Sequence, residues 1–180
     1  MRDGIRTLSI GALVALGGTM ATPAHAGHDG HFTVAGARAP IDRMALIEVG
    51  DRYNPGVYQF NLYLASSEVR VGQYGPSGTG DAVLLKVYAD GPELAAGTYR
   101  FERAVKPDAG RFNGGTVFRD YDFAEGGGEK FLVLGGTVDI AVSGGAYDVS
   151  LDLEVSPVTS NGTKALNGTY RGPVDSTHSL

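Results

Sequence analysis

The residues best equipped for chemistry are acidic. Arg119-Asp-Tyr-Asp-Phe-Ala-Glu-Gly-Gly-Gly-Glu129 sets Asp120 and Asp122 on one face of a strand, with Glu125 and Glu129 flanking a glycine run. Hard carboxylate oxygens around a flexible turn suit Ca²⁺, the candidate cofactor here. The spacing matches neither an EF-hand loop nor a calcium-binding β-roll repeat. A solvated edge strand with a charged turn accounts for the same residues without a metal.

A second acidic group, Asp148, Asp152 and Glu154 with Asp139 across, would serve a carboxylate-based hydrolase if its members faced one another across a cleft. Their spacing instead puts them in a row on one flat strand face, which reads as a solvated surface. Near the N-terminus, Gly27-His-Asp-Gly-His31 offers His28 and His31 as nitrogen ligands for Cu²⁺ or Zn²⁺. Cleavage after Ala24 would make His25 the first residue, the arrangement of copper-brace enzymes, with only His178 to complete it. No histidine lies between Phe32 and Thr177, so a Ser-His-Asp triad would need one from a terminus. The glycine clusters at 78–80 and 126–128 open no helix and so cradle no phosphate.

The aromatic residues suit a different chemistry. Tyr63 and Tyr88 fall on the polar faces of alternating segments, and Tyr74 begins a Gly-rich stretch. Exposed tyrosines on a β-scaffold stack sugar rings, although tyrosine also favours half-buried strand positions. Loops at sheet ends carry function on such scaffolds. The expected contact loops are 72–81 and 105–115, the latter contributing Arg111 and Asn113.

The elements that position these groups read as strands. Tyr58, Phe60, Leu62 and Leu64 alternate with Gln59, Asn61 and Tyr63; Tyr147, Val149, Leu151, Leu153 and Val155 alternate with Asp148, Ser150, Asp152 and Glu154. Further strands are expected at 43–49, 68–74, 82–89, 97–104, 116–123, 130–134, 137–142 and 164–171. Gly135-Gly136 marks a bulge or tight bend, and Ser143-Gly-Gly145 a hairpin turn. No segment after the first 26 residues shows a sustained helical period. The expected fold is all-β, an antiparallel β-sandwich or Gly-bent β-barrel of about nine strands.

The N-terminus reads as an export signal. Arg2 and Arg6 precede the apolar run Leu8–Leu16, and Ala24-His-Ala26 supplies the small residues of a cleavage site. The run is shorter than the ~20 residues that span a bilayer, and no other segment is long and apolar enough to do so. The expected organisation is a signal peptide at 1–26, a flexible arm at 27–39, one all-β domain at 40–172 and a loose tail at 173–180. The chain would act in the periplasm or be secreted. It has 15 Lys+Arg against 20 Asp+Glu, a net charge of −5, which argues against nucleic acid as a partner. It has no cysteine, hence no disulfide, thiolate nucleophile or lipobox.

The order of the Tyr/Phe-rich strand 57–64, Leu-x-x-Gly-Thr-Tyr at 94–99, Gly-Arg-Phe at 110–112, Gly-Thr-Val-x-Ile leading into Gly-Gly-x-Tyr-x-Val over 136–149, and Leu-x-Gly-Thr-Tyr-x-Gly at 166–172 resembles the small exported β-domains of Bacteroidetes surface lipoproteins. The likeness spans most of 53–172 and lies in turn-and-strand vocabulary, so it implies a fold rather than an activity. The lipobox cysteine of those proteins is missing. The expected function is a non-enzymatic binding or surface-interaction module for a glycan, a small ligand or another surface protein. The alternatives are a structural or adhesive subunit that self-associates through an edge strand, and a Ca-dependent or carboxylate-based hydrolase.

Overall fold

Period-two alternation folds here into one curled sheet. The computed structural model describes residues 28–180; the expected signal peptide lies outside them. The strands are β1 (Asp29–Val34), β2 (Ala37–Pro40), β3 (Arg43–Gly50), β4 (Tyr58–Ala65), β5 (Arg70–Gly72), β6 (Gly75–Ser77), β7 (Thr79–Ala89), β8 (Gly97–Phe101), β9 (Arg111–Asp122), β10 (Glu129–Ser143), β11 (Ala146–Pro157), β12 (Lys164–Pro173) and β13 (Ser176–Ser179). Among the described residues there is no helix. Eleven strands form the main sheet in the order β13-β3-β4-β7-β9-β8-β10-β11-β12-β1-β2, and β5-β6 is a separate hairpin.

The protein is thus all-β, with its main sheet curled into a half-barrel. Among the described residues it has thirteen strands rather than about nine, and the sheet is mixed rather than antiparallel. β13 runs parallel to β3. β8 runs parallel to β9 at Arg100–Phe101 while pairing antiparallel with β10. β9 and β10 pair directly only where Thr116–Arg119 meets Glu129–Leu132; beyond that they part and β8 fills the gap.

The inner face encloses one continuous core. Phe32, Met44, Leu62, Leu85, Phe112, Val138, Val149 and Leu166, from eight different strands, are fully buried together. β11 alternates as read: Val149, Leu151, Leu153 and Val155 point in, and Asp148, Ser150, Asp152 and Glu154 point to water. Gly135-Gly136 is a β-bulge, marked by a register shift against β11 between Val133 and Gly135. It joins the segments 130–134 and 137–142 into the single strand β10.

Two terminal segments differ from expectation. From residue 28 onward the flexible arm is β1 and β2: Phe32 and Val34 are wholly buried, and β1 pairs with β12. The loose tail is β13. Between β12 and β13, Asp175 N–H donates to the Met44 carbonyl at 2.8 Å, and its carboxylate accepts from Met44 N–H at 2.8 Å. These bonds tie the segment after β12 to β3 and draw the two ends of the curled sheet together. Neither terminus showed a strong local signal because each strand is specified by a partner remote in sequence.

The core tyrosines make the fold sensitive to alkali. Tyr99 donates to Ala95 O at 2.9 Å, and Tyr170 to Pro173 O at 2.6 Å. Burial, with Asp90 nearby, pushes the Tyr99 phenol up to about 12. Burial also raises Tyr147, Tyr63 and Tyr170, with Asp175 adding to the effect on Tyr170. The unfolded phenol titrates near ~10. These groups therefore leave stability intact below that pH, and stability falls as pH rises towards the folded values. In an alkaline titration, the tyrosinate absorbance of this set should rise together with the loss of far-ultraviolet circular dichroism. Smooth ionisation near pH ~10 with the strands intact would contradict the burial argument.

Candidate functional site

The outer face of β4 and β7 carries the site. At one end of this face the chain turns through Asp51-Arg-Tyr-Asn-Pro-Gly56. Val57 N–H bonds Asn54 O at 2.9 Å, and the Asp51 carboxylate accepts Gly56 N–H at 3.2 Å. Gly56 sits at φ +83°, which Pro-Gly supplies. Opposite the turn, residues 102–110 loop from β8 to β9. Glu102 N–H bonds Phe112 O at 2.8 Å, Asn113 donates its side-chain amide to Ala104 O at 3.1 Å, and Gly110 N–H bonds Tyr88 O at 2.8 Å. Asn54 joins turn to loop by donating to Pro107 O at 2.9 Å.

Between them lies a cleft of about 320 Å³ lined by Tyr53, Asn54, Gln59, Tyr88, Val105, Lys106 and Pro107. Cross-strand neighbours Gln59 and Tyr88 form its floor, with the Tyr88 hydroxyl 3.4 Å from Gln59 Oε1. Tyr53 is 64 % exposed and Val105 96 % exposed, and they stand as walls. The Arg52 guanidinium lies 5.9 Å from the Tyr53 ring centroid. Burial raises the Tyr88 phenol, opposed in part by a hydrogen bond from Asn113. The lining has a stacking ring, an apolar wall and amide groups. It has no carboxylate and no histidine.

The expected ligand residues divide between this site and other surroundings. Tyr88 lines the cleft, and Arg111 is its partner in β9. Asn113 holds the loop. Tyr88 is nevertheless only 6 % exposed, because turn and loop cover it; it is floor rather than platform. Tyr63 is buried away from the cleft with Ala45 and Ile47, packed by Val71 and Leu84. The reason is that stretch 72–81 is not an open loop: β5-β6 folds back over the outer face and covers Tyr63. Tyr74, 95 % exposed at the hairpin tip, does not line the cleft. Val105, Lys106 and Pro107 fall inside the expected contact loop 105–115, though none was singled out; sequence reasoning missed Asn54 and Gln59 and passed over Tyr53. The usable signal was Asn54-Pro-Gly56, a turn between two strands.

The acidic candidates are engaged elsewhere. Arg119 lies 3.3 Å from Glu129 and 3.9 Å from Asp120. Asp122 accepts the N–H groups of Ala124 at 2.8 Å and Glu125 at 3.1 Å, which hold its carboxyl below the usual range. Asp120 has φ +47°, beside a register shift against β7, so it does not continue the face of Asp122. Glu125 is exposed on the glycine turn. His28 lies 3.1 Å from the Tyr170 hydroxyl and 3.4 Å from Asp175, whereas His31, three residues on along an extended strand, faces the other way. Among the described residues no three His, Cys, Asp or Glu side chains are grouped to hold a metal ion. Asp152 and Glu154 border a separate shallow groove with Lys164, side by side rather than opposed.

No protein-family model matches the chain, and no curated protein or solved structure is significantly similar to it. Among the described residues no helix is long and apolar enough to cross a membrane.

Proposed function

We propose that the protein is an exported, non-enzymatic binding module, related to the exported β-domains it resembles, whose ligand is a glycan held in the cleft between the 51–57 turn and the 102–110 loop. The observation that carries this reading is the position of the cleft. The sheet's interior is filled by side chains from every part of the fold, so a ligand must be met on the outside. There an exposed tyrosine, amides and an apolar wall are fixed by backbone bonds before any ligand arrives. That composition suits a sugar, with an apolar ring face and hydroxyl groups around it. The lining lacks the paired carboxylates of glycoside hydrolysis. The sheet edges β2 and β13 are four residues each, β2 ending at Pro40, a length that discourages edge pairing.

Titration with soluble oligosaccharides, followed by amide chemical shifts, should perturb residues 53–54, 59, 88 and 105–106 as a group. Tyr53→Ala should weaken binding about tenfold, near the ~1.4 kcal/mol that one tenfold step represents. Shifts scattered away from the cleft, or reducing ends released from the oligosaccharide, would overturn the proposal.

A further inference from the structure

Resting on the cleft just proposed, the geometry points to an acidic saccharide as its ligand, one bearing uronate carboxylates or sulfate esters. The floor of Gln59 and Tyr88 runs on along the same outer face to the next paired residues, Asn61 and Lys86. Beyond them the face is closed by β5-β6 over Tyr63 and Leu84. Lys86 is exposed on this face, one same-face step along β7 from Tyr88, and Lys106 stands in the cleft lining.

Exposed as it is, Lys86 does not guard a sheet edge. A lysine on an edge strand discourages aggregation, but β7 is flanked by β4 on one side and β9 on the other. Its partner in β4 is Asn61, and the β9 segment beside it is Asn113-Gly114, next to a register shift. Among the described residues no carboxylate forms an ion pair with Lys86, Lys106 or Arg100. Arg111 and Arg100 follow Tyr88 across adjacent strands. Of these cations only Arg111 is paired, with Glu102 at 3.4 Å. The acids nearest in sequence are spoken for or peripheral: Asp51 caps its turn, and Asp108 is exposed on the loop. A chain of net charge −5 thus collects unpaired cations and amide donors around an apolar-walled cleft. Amide donors, lysines and a tyrosine face together suit an acidic sugar chain, whereas nothing here supplies the stacked aromatic series of a single-stranded nucleic-acid platform.

The test compares acidic and neutral forms of one backbone by calorimetry: oligogalacturonate against its methyl ester, and dextran sulfate oligomers against dextran. The acidic member of at least one pair should bind at least about tenfold more tightly, and Lys86→Gln and Lys106→Gln should each weaken it about fivefold or more, as expected for hydrogen bonds to charged groups. Affinity should also fall between 0.05 M and 0.5 M salt. Which pair responds distinguishes carboxylate from sulfate. Equal binding of the acidic and neutral members, or unchanged affinity in both lysine variants, overturns the acidic ligand and leaves the cleft reading standing. Absence of binding by all four saccharides overturns both.

Discussion

Phe32→Ala should destabilise the whole domain by about 3–5 kcal/mol, the range for removing a fully buried aromatic side chain. The residue lies in a stretch whose small and polar neighbours read as a loose arm. In the folded protein it is completely buried, in the same core as Leu62, Phe112 and Val149. β1, which carries it, lies between β12 and β2. Glycine at 168 leaves room for its backbone and Cβ: a Cβ placed there would lie 2.9 Å from that of Phe32. A cavity at Phe32 is therefore a cavity in the central core. Chemical denaturation should show one transition with a lower midpoint and an unchanged slope, and hydrogen exchange should accelerate in β11 and β4 as well as in β1. An effect confined to amides 28–40 would mean that the terminal strands fold as a detachable unit.

Gly136→Ala is expected to be comparably damaging, for a different reason. Gly136 holds φ +113°, and a Cβ there would come within 2.1 Å of Asp152 O and 2.7 Å of Leu153 Cα. Backbone strain of this kind costs about 1–3 kcal/mol. Forcing atoms into a packed site adds about 1–3 kcal/mol. The neighbouring Gly135→Ala is the control. Its added Cβ would meet only the Glu154 side chain, at 3.3 Å and beyond, so thermal denaturation should show a loss well below that of Gly136→Ala. Equal losses would show that the bulge does not depend on the left-handed residue.

Those two substitutions also mark what could be read from residues alone. The bulge was legible because Gly-Gly inside a β-run has few other uses, and β4 and β11 were legible because each alternates over its whole length. β1 and β13 were not, since each is short and owes its conformation to a partner far along the chain. The site divides in the same way. Tyr88 lines the cleft, whereas Arg111 and Asn113 lie beside it and not in its lining. Tyr63 was placed on the right face of β4 and yet is covered, because period two reports which face a side chain takes and not what later folds over that face. The acidic stretch looked like a metal loop by composition, but Arg119 and backbone N–H groups engage most of it, and that pairing depends on the turn's geometry.

The strand order has a consequence for when the chain can fold. His28 meets Tyr170 across 142 positions of sequence, and β1 and β3 each take one of their two partners from the last strands of the chain. A chain emerging from its N-terminus therefore carries an unfinished sheet through most of synthesis. Contacts of this separation form late and slow the search for the native pairing, although the entropy of closing so long a loop grows only slowly with its length. Until β12 arrives, β1 and β11 each lack one of their paired neighbours, although pairs such as β3-β4 and β10-β11 can form as soon as both strands have emerged. For a chain proposed to leave the cytoplasm, this topology delays completion of the sheet until its last strands have been made.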